Sequence, residues 1–304
     1  MRMPNTLTTR QNSPAAIKQL RAQRYLHDRA KRVVGLQVVL TTFFPLAGTI
    51  LEMFWPQMKG GVAFYGISIS ILDIAVLDSW QKRLRKVAVK IQEVFDCSVL
   101  DLPWDDVGVG TRPEEEDVHA ASSAYRNGQE DATLANWYPA AAGEIQLSLG
   151  RIICQRSNLR WDAHLRRRYR TWLAAILLTA GLVISYLGLR SNFGLEQLTL
   201  TVLAPIAPMI LWGIREFQGN GDAADVSDRL REKSRELWAT AIDGKLSDEV
   251  LRARARLLQS EIYARRVNAP LIFNWVYRLL RAAGEEQMNV AANELVREAR
   301  AHGF

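Results

Sequence analysis

The chain has 304 residues and a formal net charge of +7 at pH 7, and it contains two cysteines. Cys97 and Cys154 are too few and too far apart for a disulfide framework, and neither belongs to a CxxC pair, which excludes a disulfide-rich secreted domain and a zinc-ribbon site. The basic excess would fit a nucleic-acid-binding protein, but its position along the chain indicates a membrane-topology signal, so no DNA or RNA partner is expected.

The first predicted membrane element follows a basic N-terminal segment, residues 1–32. This segment is expected to be cytoplasmic and uncleaved, because it is longer than a signal peptide. Residues 33–51 contain no charged side chain, and residues 62–80 form a second apolar run after a short link. Each run is long enough to cross the hydrocarbon core of a bilayer as a helix, so residues 33–80 predict a first transmembrane hairpin.

Residues 81–170 predict a helical cytoplasmic segment. Apolar residues recur among basic ones from Gln81 to Val94, so the second span is expected to continue into the cytoplasm as one helix. A similar pattern over residues 144–170 predicts a long helix that runs into the third span. These two helices would join the membrane part mechanically to the cytoplasmic part.

Residues 171–214 predict a second transmembrane hairpin, with apolar runs at residues 172–189 and 198–214. Lys and Arg cluster on one side of the four spans, whereas the links inside the two hairpins hold only Lys59 and Arg190. Because loops rich in Lys and Arg stay in the cytoplasm, both termini and the middle segment are expected there.

Residues 215–304 predict a helical cytoplasmic C-terminal segment. The run Gly219, Asn220 and Gly221 is expected to form a hinge after the fourth span, and Ser247 is expected to cap a later helix. The predicted fold class is therefore all-α, with four transmembrane helices arranged as two hairpins. A helical cytoplasmic domain would be built from the central segment and the C-terminal tail.

Polar side chains recur on one face of each helix in the first hairpin. Polar groups avoid lipid because an unpaired one costs free energy in the bilayer core, so this face should meet other helices or water. It could pack helices together through hydrogen bonds, or it could line a water-filled path. The residues that form this pore or helix-packing face are Gln37, Thr41, Thr49, Glu52, Ser70 and Asp73.

A second group of residues has the chemistry of a nucleotide site. Arg can hold a phosphate through two hydrogen bonds, Trp or Tyr can stack on a base, and Asn or Asp can read base edges. The alternative is an internal polar network, with Arg156 paired to Asp162 or to another acid. The candidate ligand-binding residues are Trp104, Tyr138, Arg156, Asn158, Trp161, Asp162, Gln259, Tyr263 and Arg266.

No catalytic or metal-binding signature occurs in the sequence, and the four His residues are scattered. The sequence therefore favours a protein that is not an enzyme, with no catalytic residue, metal or bound cofactor. A membrane-attached enzyme with an unrecognised site stays as the least favoured alternative.

Several short runs of the chain are distinctive when they are taken together. They are VFDC at 94–97, LPW at 102–104, NWY at 136–138, CQRSNLRWD at 154–162 and RLLQSEIY at 256–263. With these runs the chain resembles, over nearly its whole length, the SMODS-associated four-transmembrane (S-4TM) effectors of bacterial cyclic-oligonucleotide antiphage defence (CBASS).

The resemblance implies a pore-forming effector in the bacterial inner membrane. Its activating ligand would be a cyclic oligonucleotide made by a partner nucleotidyltransferase. The chain would then form a homo-oligomer in the lipid bilayer and permeabilise it. The runner-up hypothesis is a non-conducting membrane scaffold or sensor that recruits a cytoplasmic protein.

Overall fold

The computed structural model describes residues 5–125, 133–190 and 203–304, together with residues 194, 196 and 199. Regular structure in these described residues is entirely helical, which confirms the all-α prediction. The α-helices are α1 (Leu7–Gln11), α2 (Pro14–Val38), α3 (Phe44–Phe54), α4 (Lys59–Leu72), α5 (Asp78–Leu100), α6 (Glu115–Ala124), α7 (Leu147–Arg190), α8 (Ala204–Ile242), α9 (Asp248–Asn268) and α10 (Asn274–Ala301).

The first hairpin consists of two long helical rods. Ser13 Oγ caps the start of α2 by accepting a hydrogen bond from the backbone N–H of Ala16. The π-helical segment Val39–Phe43 joins α2 to α3, and a second π-helical segment, Asp73–Leu77, joins α4 to α5. The short turn Pro56–Met58 reverses the chain, so that α2 packs along α5.

The remaining long helices continue from membrane to body as predicted. α7 runs from Leu147 to Arg190 and packs along α8, and α5 extends the second predicted span past Val94 to Leu100. Both predictions of a continuous helix are therefore confirmed. The fourth predicted span, residues 198–214, lies partly outside the described residues, and α8 begins at Ala204.

Three helical segments in the described part of the chain are long and apolar enough to cross a membrane: Pro14–Gly48, Gly60–Leu100 and Leu147–Tyr186. Only 11–17% of their most apolar stretches is buried. Side chains such as Phe64 and Ile74 are 73% and 74% exposed. A continuous apolar surface of this kind is stable against lipid tails but not against water.

The ends of the long helices that lie away from the apolar spans converge in a helical body, which also contains α1, α6, α9 and α10. Its largest core joins Phe95 of α5, Ile153 of α7, Trp238 of α8 and Val296 of α10. The ring of Tyr138 stacks on Phe95, with centroids 6.1 Å apart. Burial of these large side chains stabilises the body and fixes how the long helices enter the membrane part.

The predicted hinge at Gly219, Asn220 and Gly221 is wrong, because α8 continues through all three residues. A Cβ added at Gly219 would lie 2.9 Å from Pro270 Cγ, and one added at Gly221 would lie 2.8 Å from Arg170 Cζ. These glycines therefore allow close packing of α8 against its neighbours. The two glycines that predicted a hinge thus serve instead to make room for a close contact between α8 and its neighbours.

Replacing Gly219 with Ala should lower the free energy of unfolding by about 1–2 kcal/mol, because the strain of overpacking against Pro270 exceeds the helix propensity that Ala gains. Thermal unfolding in detergent measures the change. Gly35→Ala is the matched control, since a Cβ at Gly35 meets no atom within 4 Å. Equal stability of the two variants would contradict close packing at Gly219.

Candidate functional site

The helical body contains a cavity of about 560 Å³ between α2, α5, α7, α9 and α10. It lies at the base of the apolar helices, because Lys31 lies two residues before the first predicted span and Arg85 lies five residues after the second. Seven Lys or Arg side chains line it against two Asp side chains, so it is named the basic cavity. Its cationic lining residues are Arg24, Lys31, Arg85, Arg166, Arg265, Arg266 and Arg278.

Helical periodicity brings the cationic residues of α2 together. Arg24, His27 and Lys31 are spaced by three and four residues, which places them on one face of the helix. The end of α9 supplies Arg265 and Arg266, where positive charge also interacts favourably with the helix dipole. The cavity is therefore assembled from segments that are far apart in sequence.

Acids neutralise the inner part of the cavity. Asp162 accepts a hydrogen bond from Arg166 Nε at 2.8 Å and forms a second ion pair with Arg265. Asp96, buried behind the cavity, pairs with Arg266. Despite burial, which raises it, the pKa of Asp162 is held well below its usual range by Arg166 and Arg265.

The outer cationic residues have weaker partners. Within the described residues, Lys31 Nζ donates to Asn274 Oδ1 at 2.5 Å and Arg85 Nη1 donates to the carbonyl oxygen of Ala269 at 2.9 Å. Arg24 Nη1 donates to Thr133 Oγ1 at 2.8 Å. Because these acceptors are neutral, the hydrogen bonds do not cancel the positive charge of the donors.

Two titratable groups that line the cavity have lowered pKa values. Burial, and then repulsion from Lys31 and three Arg residues, lowers the pKa of His27 to about 3. Burial, opposed by Asp28 and reinforced by Arg24, lowers the pKa of Lys31 to about 8. Burial is the largest cause for both groups and the neighbouring cations add to it, so the cavity disfavours a further positive charge.

Some buried donors on the cavity residues have no hydrogen-bond acceptor among the described residues. They are Arg85 Nε, Arg265 Nε and Arg266 Nη2. An unsatisfied buried donor costs free energy, and phosphate oxygens are strong acceptors for guanidinium groups. These donors can therefore donate to a partner such as a phosphate oxygen.

Aromatic side chains form one wall of the basic cavity. Trp161 of α7 and Tyr277 of α10 meet edge to face, with ring centroids 6.0 Å apart, and Trp137 also lines the cavity. Trp161 can lie this close to α10 because residue 284 is Gly, where any Cβ would collide with the indole ring. Such a wall can stack on a nucleobase.

The structure brings four of the predicted ligand-binding residues to the basic cavity: Asn158, Trp161, Asp162 and Arg266. Arg156 instead lines a neighbouring cavity of about 410 Å³ between α7 and α10, which shares Trp161 with the first. The alternative pair of Arg156 with Asp162 is not formed, since Asp162 binds Arg166 and Arg265.

The other four predicted ligand-binding residues lie away from the cavity. Trp104 Nε1 donates to the Gly110 carbonyl oxygen at 2.8 Å, and Trp104 packs beside the buried Tyr263. Tyr138 Oη donates to Asp96 Oδ1 at 2.6 Å, and Gln259 Nε2 donates to Asp96 Oδ2 at 3.0 Å. The contacts of Tyr138 and Gln259 therefore match an internal polar network, which was the alternative to a ligand site in the sequence analysis.

Sequence reasoning did not identify the cavity residues on α2, α5 and α10. The basic residues of α2 were interpreted as a membrane-topology signal. Only their spacing of three and four residues could have indicated that they share one face of the helix. The residues missed are Arg24, His27, Lys31, Arg85, Tyr277 and Arg278.

The polar face of the first hairpin is partly internal. Gln37 Nε2 donates to Asp73 Oδ1 at 2.9 Å across the hairpin, and Thr41 Oγ1 donates to the Gln37 carbonyl oxygen at 2.7 Å. Ser70 is exposed, and its hydroxyl bonds its own helix. The predicted face also included Thr49 and Glu52, whose side chains lie outside the described residues.

Lipid-compatible helices that continue into a charged helical body define a helical membrane protein. The chain matches the family described as "SMODS-associating 4TM effector domain" over residues 5–295, and it therefore belongs to this family. The resemblance noted in the sequence is confirmed.

A relative supports the same assignment. The chain is 26% identical over 286 residues to the protein named "Probable CBASS effector molecule IK1_05631" from Bacillus cereus (strain VD146). The match covers 92% of this chain and 94% of the relative. No solved structure matches this chain at a significant level.

Replacing Asp162 with Asn should lower the free energy of unfolding by about 3–5 kcal/mol, because two buried guanidinium groups lose their counter-charge. The lowered pKa of Asp162 also predicts stability that is present above about pH 4 and is lost as the pH falls further, and the variant should lose part of this dependence. Chemical denaturation across this pH range measures both effects.

Asp243→Asn is the control for the Asp162 variant, because Asp243 pairs with Lys245 on the surface. A surface pair of this kind contributes about 0–1 kcal/mol. If the two variants lost the same stability, the proposed role of Asp162 as a counter-charge would be wrong.

Proposed function

We propose that this chain is an antiphage defence effector of the bacterial inner membrane. A cyclic oligonucleotide binds in the basic cavity, and the chain then oligomerises and permeabilises the membrane. The family assignment and the CBASS effector relative support a role in defence. The observation that carries the binding step is the basic cavity with its aromatic wall, at the base of the apolar helices.

The chemistry of a cyclic oligonucleotide matches this cavity. The ligand carries several phosphodiesters, which would bind the outer cationic residues Arg24, Lys31 and Arg85, and planar bases, which would stack on Trp161 or Tyr277. A volume of about 560 Å³ is within the range of small-molecule sites. Asn158 and Asn274 also line the cavity and could hydrogen-bond base edges.

Helix continuity supports the link between binding and the membrane. The continuous helical segments Pro14–Gly48, Gly60–Leu100 and Leu147–Tyr186 each carry cavity residues and an apolar span. A ligand that pulls Lys31, Arg85 and Trp161 together would shift all three rods at once. Packed helices have discrete arrangements, so a small shift at the cavity can be amplified in the bilayer.

The distribution of Lys and Arg supports a cytoplasmic location for the cavity and for both termini. A product of a cytoplasmic nucleotidyltransferase would then reach the cavity without crossing the membrane. The small polar face of one chain supports the proposed oligomerisation, since an aqueous path needs polar surface around its whole circumference.

Purified full-length protein in liposomes of phosphatidylethanolamine and phosphatidylglycerol should release an entrapped dye when cyclic di-AMP, cyclic di-GMP, cyclic GMP-AMP or cyclic triadenylate is added. Lys31→Gln should raise the concentration of nucleotide needed for half-maximal release by about tenfold, because one charged phosphate contact is lost. Fluorescence dequenching measures the release.

Lys18→Gln is the matched control, since Lys18 lies on the same helix, away from the cavity, and pairs with Glu115 at 3.0 Å. Its release should equal that of the unaltered chain. If correctly inserted protein released no dye with any of the four nucleotides, membrane permeabilisation would be rejected. Capture of a protein partner without conductance would then favour the scaffold hypothesis.

The affinity for the activating nucleotide should fall by about tenfold between pH 7 and pH 9. The free cavity holds the pKa of Lys31 at about 8, and a bound phosphate raises it, so binding above pH 8 requires uptake of a proton. Equilibrium binding in detergent measures the affinity. Lys31→Arg should remove this dependence because Arg stays charged, and an unchanged slope in that variant would exclude Lys31 as a ligand contact.

A further inference from the structure

Asp73 is an unusual residue for its position in the membrane part. The four apolar runs, residues 33–51, 62–80, 172–189 and 198–214, contain no Lys, Arg or Glu, and their only acids are Asp73 and Asp78. Asp78 lies at the end of its run and pairs with Lys82 at 2.5 Å. Asp73 lies more than a helical turn deeper, where an ionisable residue is costly and usually functional.

The described hydrogen-bond partner of Asp73 does not neutralise it. Gln37 Nε2 donates to Asp73 Oδ1 at 2.9 Å, and Gln37 is an uncharged amide. Helix packing alone would be served equally well by Asn at position 73, because two amides can form the same hydrogen bond at a lower desolvation cost. The negative charge of Asp73 therefore needs an explanation beyond packing.

The surroundings of this pair are polar and irregular. Gln37 lies two residues before the π-helical segment Val39–Phe43, and Asp73 is the first residue of the π-helical segment Asp73–Leu77. Tyr65 Oη donates to the Leu40 carbonyl oxygen at 3.0 Å across the hairpin. Polar layers in which π-helical turns interrupt a membrane helix are frequent at functional sites and can rearrange.

We propose that Asp73 faces the aqueous path of the open assembly and makes that path selective for cations. Each copy of the chain contributes one carboxylate, so the copies together form a ring of negative charge at one level of the membrane. Such a ring attracts cations and repels anions from the narrow part of a path. This inference rests on the proposed permeabilisation.

The distribution of charge along the chain separates the expected effect of Asp73 from that of the basic span ends. The cytoplasmic ends of the spans are dense in Lys and Arg, which would by themselves favour anions in the path. Selectivity for cations must therefore come from the membrane part, where Asp73 supplies the only deep charge within the four apolar runs. Removing that charge should weaken the preference for cations.

Planar bilayers that contain the full-length protein, a KCl gradient and the cyclic nucleotide found to release dye test the proposal. The reversal potential should show a higher permeability for potassium than for chloride. In Asp73→Asn the permeability ratio should fall on the order of tenfold, because a carboxylate close to the permeating ion is lost. Asn can keep the hydrogen bond to Gln37, so the substitution should preserve the packing of the hairpin.

Asp78→Asn is the matched control, and its ion selectivity should equal that of the unaltered chain. The proposal would be overturned if the unaltered chain were selective for anions, or if Asp73→Asn had the same selectivity as the unaltered chain. Neither outcome would contradict membrane permeabilisation. If the unaltered chain conducted with none of the four nucleotides, both the proposed function and this inference would be rejected.

Discussion

Unbalanced positive charge at the base of lipid-facing helices is the constraint on which the rest of this structure depends. Concentrating Lys and Arg in one cavity is unfavourable, and the body offsets the cost only in part. Asp162 and Asp96 neutralise the inner guanidinium groups, while Arg85 and Lys31 bond to neutral oxygens. Burial, reinforced by neighbouring cations, lowers the pKa values of His27 and Lys31, so the cavity disfavours further positive charge.

The continuity of the helices determines what an anion in this cavity can do. α2, α5 and α7 extend from the body into the apolar part, and glycines such as Gly219 and Gly221 hold α8 tightly against its neighbours. The π-helical segments Val39–Phe43 and Asp73–Leu77 interrupt the regular α-helices of the first hairpin. The Gln37–Asp73 hydrogen bond joins the two helices of the hairpin where these segments begin.

Local patterns predicted the elements well and the contacts poorly. Periodic apolar residues around Val94 and Leu149 correctly indicated helices that leave the membrane unbroken. The glycines beside Asn220 were interpreted as a hinge because glycine makes a backbone flexible. The sequence does not show that Pro270 and Arg170 pack against these glycines. Asn158 and Trp161 were identified by side-chain chemistry, whereas Lys31 was assigned to topology alone, although one residue can serve both roles.

The sequence by itself determined the all-helical class, the lipid-compatible spans and the family, because hydropathy, helical period and short motifs are properties of neighbouring residues. Only the tertiary structure decided which charged residues are neutralised and which face the cavity. Arg266 and Asp96 are separated by 170 positions, and Lys31 and Asn274 by 243, so their pairing depends on how the long helices pack. Interactions over such separations are set by the core of the body, and no local pattern encodes them.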